Sequence, residues 1–471
     1  MKTPQVHHSF SLFALFLLVI VLGSSCKKTT TPTATSVTIP VVTTADVIIN
    51  VTSTTAQSGG VVTSSGDDVI AANGVCYSTT NKTPTVADSK TSDIVNTSIA
   101  NFNFISNLTG LTANTTYYVR AYATNSAGTG YGSVIQFTTG TSSSPLVATV
   151  STFAGSGTAG YLDATGLNAK FNNPEGLTAD ANGNIFVSDS YNSYIRQISL
   201  GGSVTTVAGN GTIGYMDATT ASLAEFYSPQ GLAFDSKGNL YIADYGNNVI
   251  RKITTVGVVS TFAGNGVQGY VDASNAANAE FNGPGGIAFD AQDNMYVADR
   301  GNNLIRKITS AGVVSTFAGK TTAPTAGYAN ATGTSAAFNA PNGVAVDKNG
   351  NIYVADEGNS AIRKITSAGV VTTIAGGPSL PDLLNYPAAI AVDKQGNFFI
   401  LDEGGRVLEY TTANVLYTLA GSLNSPGLVN GPGSAAKFNN PQGIAVDANG
   451  NIFVADKNNN CIREITVTAG P

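Results

Sequence analysis

The chain has 471 residues, 42% of them hydrophobic and only 11% charged, against about 25% charged in an average soluble domain. That apolar content is enough for a large core, so the low charge does not signal disorder. Its two histidines, His7 and His8, fall in an N-terminal leader, which excludes Ser-His-Asp hydrolysis, His-ligated zinc and His general-base chemistry from the mature chain.

Residues 1–25 read as a signal peptide. Lys2 precedes a 13-residue apolar run, Phe10 to Leu22, too short for a bilayer-spanning helix, which needs about 20. Without Lys2 the net charge of −6 becomes −7, and nothing basic remains to draw a polyphosphate, so nucleic acid is not an expected partner. Gly23-Ser24-Ser25-Cys26 resembles a bacterial lipoprotein signal. The resemblance implies a lipidated Cys26 and a protein held at a membrane by that anchor only, in the periplasm or at the cell surface. Residues 26–37, with Lys27-Lys28 and TTTPTATS, cannot build a core and read as a tether.

Over residues 38–140, short runs such as GGVVTSS, NGVCYST and YYVRAYATN alternate apolar with Thr or Ser and are separated by Gly, Asn and Ser, predicting an antiparallel β-sandwich. The stretch from Leu111 through Tyr117 to Ala121, followed by NSAGTGYG, resembles the late strands of fibronectin type III domains, in the variant common in surface lipoproteins of Bacteroidota. The resemblance implies that the Tyr117 hydroxyl returns to the backbone at a sheet corner. No acid, base or nucleophile constellation is present, and Cys76 and Cys461 are expected to be buried free thiols.

After a linker at 141–146, residues 147–471 repeat. Each unit reads Phe-x-x-Pro-x-Gly, an apolar run ending in Asp, a Gly-Asn turn, a second apolar run ending in Asp, then Asn-x-x-Ile-Arg-Lys-Ile. The prolines are Pro174, Pro229, Pro284, Pro341, Pro387 and Pro441. Three strands are expected per unit, the first two apolar enough to be buried on both faces, as in sheets stacked around an axis. A fourth strand, VVSTFAG in its clearest form, follows every unit except the last, and a spare copy begins at Val147. If the spare strand completes the last unit, a six-bladed β-propeller closes without a free edge. The fold class is therefore all-β: a sandwich followed by a six-bladed propeller closed by its N-terminal strand.

The segments ADYGNNVIRKI, ADRGNNLIRKI and ADEGNSAIRKI resemble NHL repeats, whose name-giving His is replaced here by Ser193, Asn248, Asn303, Ser360, Arg406 and Asn460. The resemblance implies a binding platform. His-bound metal chemistry, present in some relatives, cannot be carried over.

Asp189, Asp244, Asp299, Asp356, Asp402 and Asp456 end the second strands, and Arg196, Arg251, Arg306, Arg363 and Arg463 follow seven residues later. Six-fold repetition favours turn caps and structural ion pairs over a metal ring. Loops preceding each unit share one face with the Asp-Gly-Asn-Asn hairpins and carry Tyr161, Tyr215, Tyr270 and Tyr328. The fifth unit departs from the repeat, with a shorter loop, Gly404-Gly405-Arg406 in its hairpin and Glu409 where Arg is expected. A notch is expected there, near Asp382, Tyr386, Glu403 and Arg406. The leading reading is a binding protein presenting this face to a protein, peptide or glycan, with no cofactor. The alternative is a lactonase or other hydrolase, similar to the gluconolactonase group, using Ca²⁺ or Mg²⁺ on oxygen ligands from the Asp set.

Overall fold

A computed structural model describes residues 36–45, 47–93, 102–140, 146–321, 325–378 and 383–469. The leader, Cys26 and Asp382 lie outside these. The described residues form strands and short 3-10 turns, and no helix among them is long and apolar enough to cross a membrane. From Val37 onward the chain forms one unit.

The alternating runs before residue 140 form two sheets. One pairs Thr55–Ser64 with Val41–Thr44 and Phe102–Thr109, and the other pairs Thr116–Asn125 with Ala72–Ser78, Gly128–Tyr131 and Ile135–Thr138. Their period-2 patterning puts Val62, Val75, Leu108, Val119, Ala121 and Phe137 into one core. The Tyr117 ring stacks on Phe137 at 5.7 Å, and its hydroxyl accepts a hydrogen bond from the Thr112 N–H at 2.9 Å.

The repeats form six sheets, I to VI. Sheet I comprises Pro174–Ala179, Ile185–Asp189, Tyr194–Ile198 and Val204–Ala208; sheet II comprises Pro229–Phe234, Leu240–Asp244, Val249–Ile253 and Val259–Ala263. Sheet III runs from Pro284 to Ala318, sheet IV from Pro341 to Gly376 and sheet V from Pro387 to Gly421, each in the same antiparallel order. Sheet VI has three consecutive strands, Gly443–Val446, Ile452–Asp456 and Cys461–Ala469. Its fourth is the spare copy, Leu146–Ala154, antiparallel with Val150 opposite Ile465.

First strands of successive sheets pack side by side, and that of sheet VI lies against that of sheet I. Together they enclose a narrow channel of about 100 Å³. The approach is close enough to require glycine in the Pro-x-Gly motif. A Cβ on Gly286 would lie 2.6 Å from the Asn342 carbonyl oxygen, and one on Gly343 would lie 2.6 Å from the Ala389 Cα. The turn aspartates act locally: Asp235 accepts from the Lys237 and Asn239 N–H groups at 2.9 and 2.8 Å, the side-chain turn anticipated for DSKGN. Both Cys76 and Cys461 are buried and free.

The N-terminal strands do not stand apart from the repeats. Ile48–Ile49 pairs in parallel with Val415–Leu416, the outer strand of sheet V, so the first sheet continues into sheet V. Val415 joins the N-terminal core, while Val47 and Leu416 join the core shared by sheets IV and V. The outer edge of sheet V is thereby covered.

Candidate functional site

The corner of each sheet where strand two ends is built around a buried ion pair. In sheet II the Arg251 guanidinium donates to Asp244 Oδ2 at 2.9 Å and, from its other arm, to Asp217 in the preceding loop at 2.8 Å. It also donates to the carbonyls of Glu225 and Met216 at 2.8 and 2.7 Å. The Phe226 ring of Phe-x-x-Pro lies beneath it, 5.0 Å away, which explains why that Phe repeats. Asp244 further accepts from the Asn247 amide and the Tyr227 N–H, both at 2.8 Å.

The same clamp recurs. Asp189–Arg196, Asp299–Arg306, Asp356–Arg363 and Asp456–Arg463 pair at 2.7, 2.8, 2.6 and 2.8 Å, all eight side chains buried. Burial pushes the Asp189 and Asp244 carboxyls up to about 6, opposed by these donors, and raises Asp299, Asp356, Asp402 and Asp456 in the same direction. Each carboxylate is saturated by its own corner. Among the described residues no group of three or more His, Cys, Asp or Glu could hold a metal ion.

Three of the residues at the missing-His position, all Asn, are latches between sheets. Ser193, Asn248, Asn303, Ser360 and Asn460 adopt left-handed backbone with φ between 48° and 57°. Asn248, Asn303 and Asn460 accept from the N–H of Gly283, Ala340 and Asn173 in the next sheet at 2.8, 2.7 and 3.0 Å. The last of these joins sheet VI to sheet I.

Three of the four loop tyrosines belong to the clamp as well as to the surface. The Tyr161, Tyr215 and Tyr328 hydroxyls share hydrogen bonds with Thr206, Thr261 and Thr373 at 2.9, 3.0 and 2.8 Å, and an Arg guanidinium lies within 5.2 Å of each ring. Tyr270 occupies the corresponding loop of sheet III. All four are at least 37% exposed.

Sheet V corrects two expectations. Its hairpin has three residues, Glu403 to Gly405, between Asp402 and the first paired residue, where sheet II has four. Gly405, with φ 91°, therefore takes the left-handed position expected for Arg406. Leu408, opposite Ile400, takes the clamp position that counting assigns to Glu409, and Glu409 stands where sheet II has Lys252. Arg406 reaches back to Asp402 Oδ2 with two donors at 2.9 and 2.5 Å, replacing the missing clamp at closer spacing. Tyr386 is 53% exposed at φ 51°, and its carbonyl accepts from the Glu403 N–H. Glu403 points the other way around the ring, accepting from Gln442 of sheet VI at 2.8 Å. The described notch residues thus divide among a structural Arg, an exposed Tyr and a Glu bonded to Gln442.

Sequence reasoning missed the channel mouth. Residues immediately after the six Asp are Ser190, Tyr245, Arg300, Glu357, Glu403 and Lys457, and those after the six Pro are Glu175, Gln230, Gly285, Asn342, Ala388 and Gln442. These two positions of the corner differ from sheet to sheet more widely than the clamp residues do. These side chains link neighbouring sheets: Arg300 pairs with Glu357 at 2.6 Å and Lys457 with Glu175 at 2.8 Å, while Ser190 donates to the Pro229 carbonyl at 2.6 Å. Burial raises the Glu357 carboxyl, countered by Arg300 and reinforced by Glu403. The available signal was variability at a fixed offset from an invariant Asp. Every exposed aromatic among the described residues also lies on this face: Tyr161, Tyr191, Tyr215, Tyr227, Tyr270, Tyr328 and Tyr386.

The NHL repeat model matches residues 171–198, 226–253, 281–308, 338–365 and 438–465, passing over sheet V. The chain is 29% identical over 329 residues to Protein SUPPRESSOR OF QUENCHING 1, chloroplastic, of Arabidopsis thaliana, covering 67% of this chain and 27% of that protein. It is 35% identical over 95 residues to NHL repeat-containing protein 2 of Homo sapiens, covering 20% of this chain and 13% of that protein. The chain thus spans well under two thirds of either relative. Among solved structures, a protein of unknown function from Bacteroides thetaiotaomicron VPI-5482 superposes with a TM-score of 0.52 at 17% identity, covering 91% of this chain and 98% of that one. Five NHL repeat matches thus fall on sheets I to IV and VI of an all-β chain of stacked four-stranded sheets, an arrangement that supports a β-propeller.

Proposed function

We propose that the chain is a lipid-anchored, extracytoplasmic binding protein: a six-bladed propeller closed by its N-terminal strand, carried on a fibronectin type III-like sandwich and tethered through Cys26. The observation that carries the binding reading is the gathering of all seven exposed tyrosines on one face, around a channel mouth whose polar ring differs from sheet to sheet. Scaffold residues repeat because every sheet needs them; residues that recognise a ligand need not. Tyrosine supplies large contact area with few rotatable bonds, and it is enriched where proteins meet partners. A protein or peptide is the preferred partner over a glycan, since no Trp is available as a stacking platform. The corner geometry of Tyr117 supports the fibronectin-like reading, and the pairing of Ile48–Ile49 with sheet V supports a fixed rather than swinging attachment.

The test is binding of peptide and oligosaccharide arrays to the immobilised full chain and to a Tyr191→Ala, Tyr227→Ala, Tyr386→Ala variant. Loss of about 30-fold or more in affinity, as for a hot-spot cluster, is expected. Unchanged affinity with intact folding would remove the face from consideration. The competing hydrolase reading requires a divalent ion, and a thermal upshift with Ca²⁺ or Mg²⁺ that chelator reverses would favour it over simple binding.

A further inference from the structure

The gap between sheets IV and V differs from its neighbours at the end where strand one turns into strand two. In sheets II and III that end is plugged with rings. Tyr241 lies 4.9 Å from Phe262 of its own outer strand and 5.0 Å from Phe289 of the next sheet, and Tyr296 lies 5.2 Å from Phe317. By register, the residue of sheet IV that corresponds to Phe262 and Phe317 is Ile374, and the residue of sheet V that corresponds to Phe289 is Val392. Two other gaps are also tied at this end by their turns: Ser236 donates its N–H and hydroxyl to Asp293 at 2.9 and 2.6 Å, and Lys394 donates to the Ala448 carbonyl at 3.2 Å. Among the described residues no hydrogen bond joins the turn at 347–351 of sheet IV to the turn at 393–397 of sheet V.

A cavity of about 360 Å³ opens there, within the size range of small-molecule sites. Its apolar side is Tyr353, Phe398, Tyr410 and Ile374, with the Tyr353 and Phe398 ring centroids 3.9 Å apart. Lys348 and Lys364 line it as well. The neighbouring Asp347 carboxylate is already taken, by the N–H groups of Asn349 and Asn351 at 2.8 and 2.9 Å, the Asn351 amide at 2.8 Å and the Tyr353 hydroxyl at 3.2 Å. Neither lysine forms an ion pair with a described residue, and the Lys364 Nζ lies 5.7 Å from the centre of the Tyr353 ring. A lysine in this place is not peculiar to sheet IV, since Lys252 lies over Tyr241 in sheet II. There, however, Phe262 and Phe289 both pack on the tyrosine.

We infer that the gap between sheets IV and V is a binding site for a small aromatic carboxylate. Its ring packs where the missing phenylalanines would stand, beside Tyr353 and Phe398, and its carboxylate is met by Lys364 and Lys348. Ring contact supplies apolar burial with edge or offset stacking, and the ammonium groups supply charge-assisted hydrogen bonds to the carboxylate. An amine of the same shape would face two ammonium groups. The site lies at the opposite end of the sheets from the tyrosine-bearing face, and it does not depend on the binding reading of that face.

Calorimetry of the full chain with phenylacetate and indole-3-acetate tests it, with phenylacetamide as the neutral comparison and phenethylamine as the cationic one. At least one carboxylate is expected to bind, with phenylacetamide weaker by about 10-fold or more, as for loss of a hydrogen bond to a charged group, and phenethylamine not binding. Ile374→Phe supplies the plug that sheets II and III carry, so it should fold normally and lose binding. Lys364→Gln should weaken the carboxylate by about 10-fold through the same lost hydrogen bond. Lys252→Gln, at the corresponding position of sheet II, should leave the affinity unchanged. No binding by either carboxylate, equal binding of phenylacetamide, binding indifferent to Ile374→Phe or to Lys364→Gln, or loss with Lys252→Gln, would overturn the assignment.

Discussion

Replacing Arg251 with methionine removes the group that four oxygen atoms share: Asp244, Asp217 and the carbonyls of Glu225 and Met216. Methionine fills much of the space, so the dominant effect is electrostatic. Asp244 stays fully buried with only the Asn247 amide and the Tyr227 N–H to solvate it. Breaking a buried pair by removing one partner costs about 3–5 kcal/mol, a large part of the 5–15 kcal/mol that holds a typical domain. For a chain of this size that is a fall in Tm of about 3–5 °C. The cycle is completed by Asp244→Asn and by the double variant, followed by circular dichroism in urea and on heating. Because Asp244→Asn removes the stranded charge, the double variant should recover at least 1 kcal/mol relative to additivity. An Arg251→Met variant within about 1 kcal/mol of wild type, or strictly additive single variants, would refute the view that the repeated pair is a buried structural clamp.

Further outcomes follow from the same geometry. Asp189 and Asp244 have carboxyls raised to about 6 against an ordinary 3.8, so the stability they contribute is complete below 3.8 and is lost as pH rises through about 6. Asp235, Asp290 and Asp347 are held below the ordinary value despite burial, by Asn amides and turn N–H groups, and lose their contribution as pH falls below it. Tm at pH 5 should therefore equal or exceed that at pH 7 and then drop below about pH 4; a steady decline from pH 7 downward would contradict both assignments. Asn460→Ala removes the bond to the Asn173 N–H at the seam between sheets VI and I, and should cost about 1 kcal/mol in urea denaturation. Ile48→Asp places a charge in the strand that joins the N-terminal sheet to Val415, and should split a single unfolding transition into two by calorimetry.

Much of the repeat region was legible because its signals are local. The Asp-x-x-Gly-Asn turn, the alternation of apolar runs and the spare strand at Val147 each specify a neighbour in sequence or by repetition, and the strand pairing follows them. What was not legible depends on register or on distant pairing. A hairpin one residue shorter moves Glu409 out of the clamp position, a shift that counting from Asp402 cannot reveal. Docking of Ile48–Ile49 on Val415–Leu416 spans more than 360 residues and involves two-residue pairing with no motif. It also gives sheet V, the unit that drifts furthest from the repeat, a hydrogen-bonded strand from the N-terminal region, which no other sheet among the described residues takes. The channel mouth was missed for a different reason. Its residues sit directly beside invariant ones, and the eye trained on the repeat discards the variable position that recognition would use.

The central claim is that this chain acts through its tyrosine-bearing face. Site-specific photo-crosslinking in the native cell tests it most directly, with p-benzoylphenylalanine placed at Tyr227 on that face and at Lys348, an exposed turn residue at the opposite end of sheet IV. The account predicts a discrete adduct from position 227 and none from 348. Adducts from 348 alone, or equally from both, would contradict it.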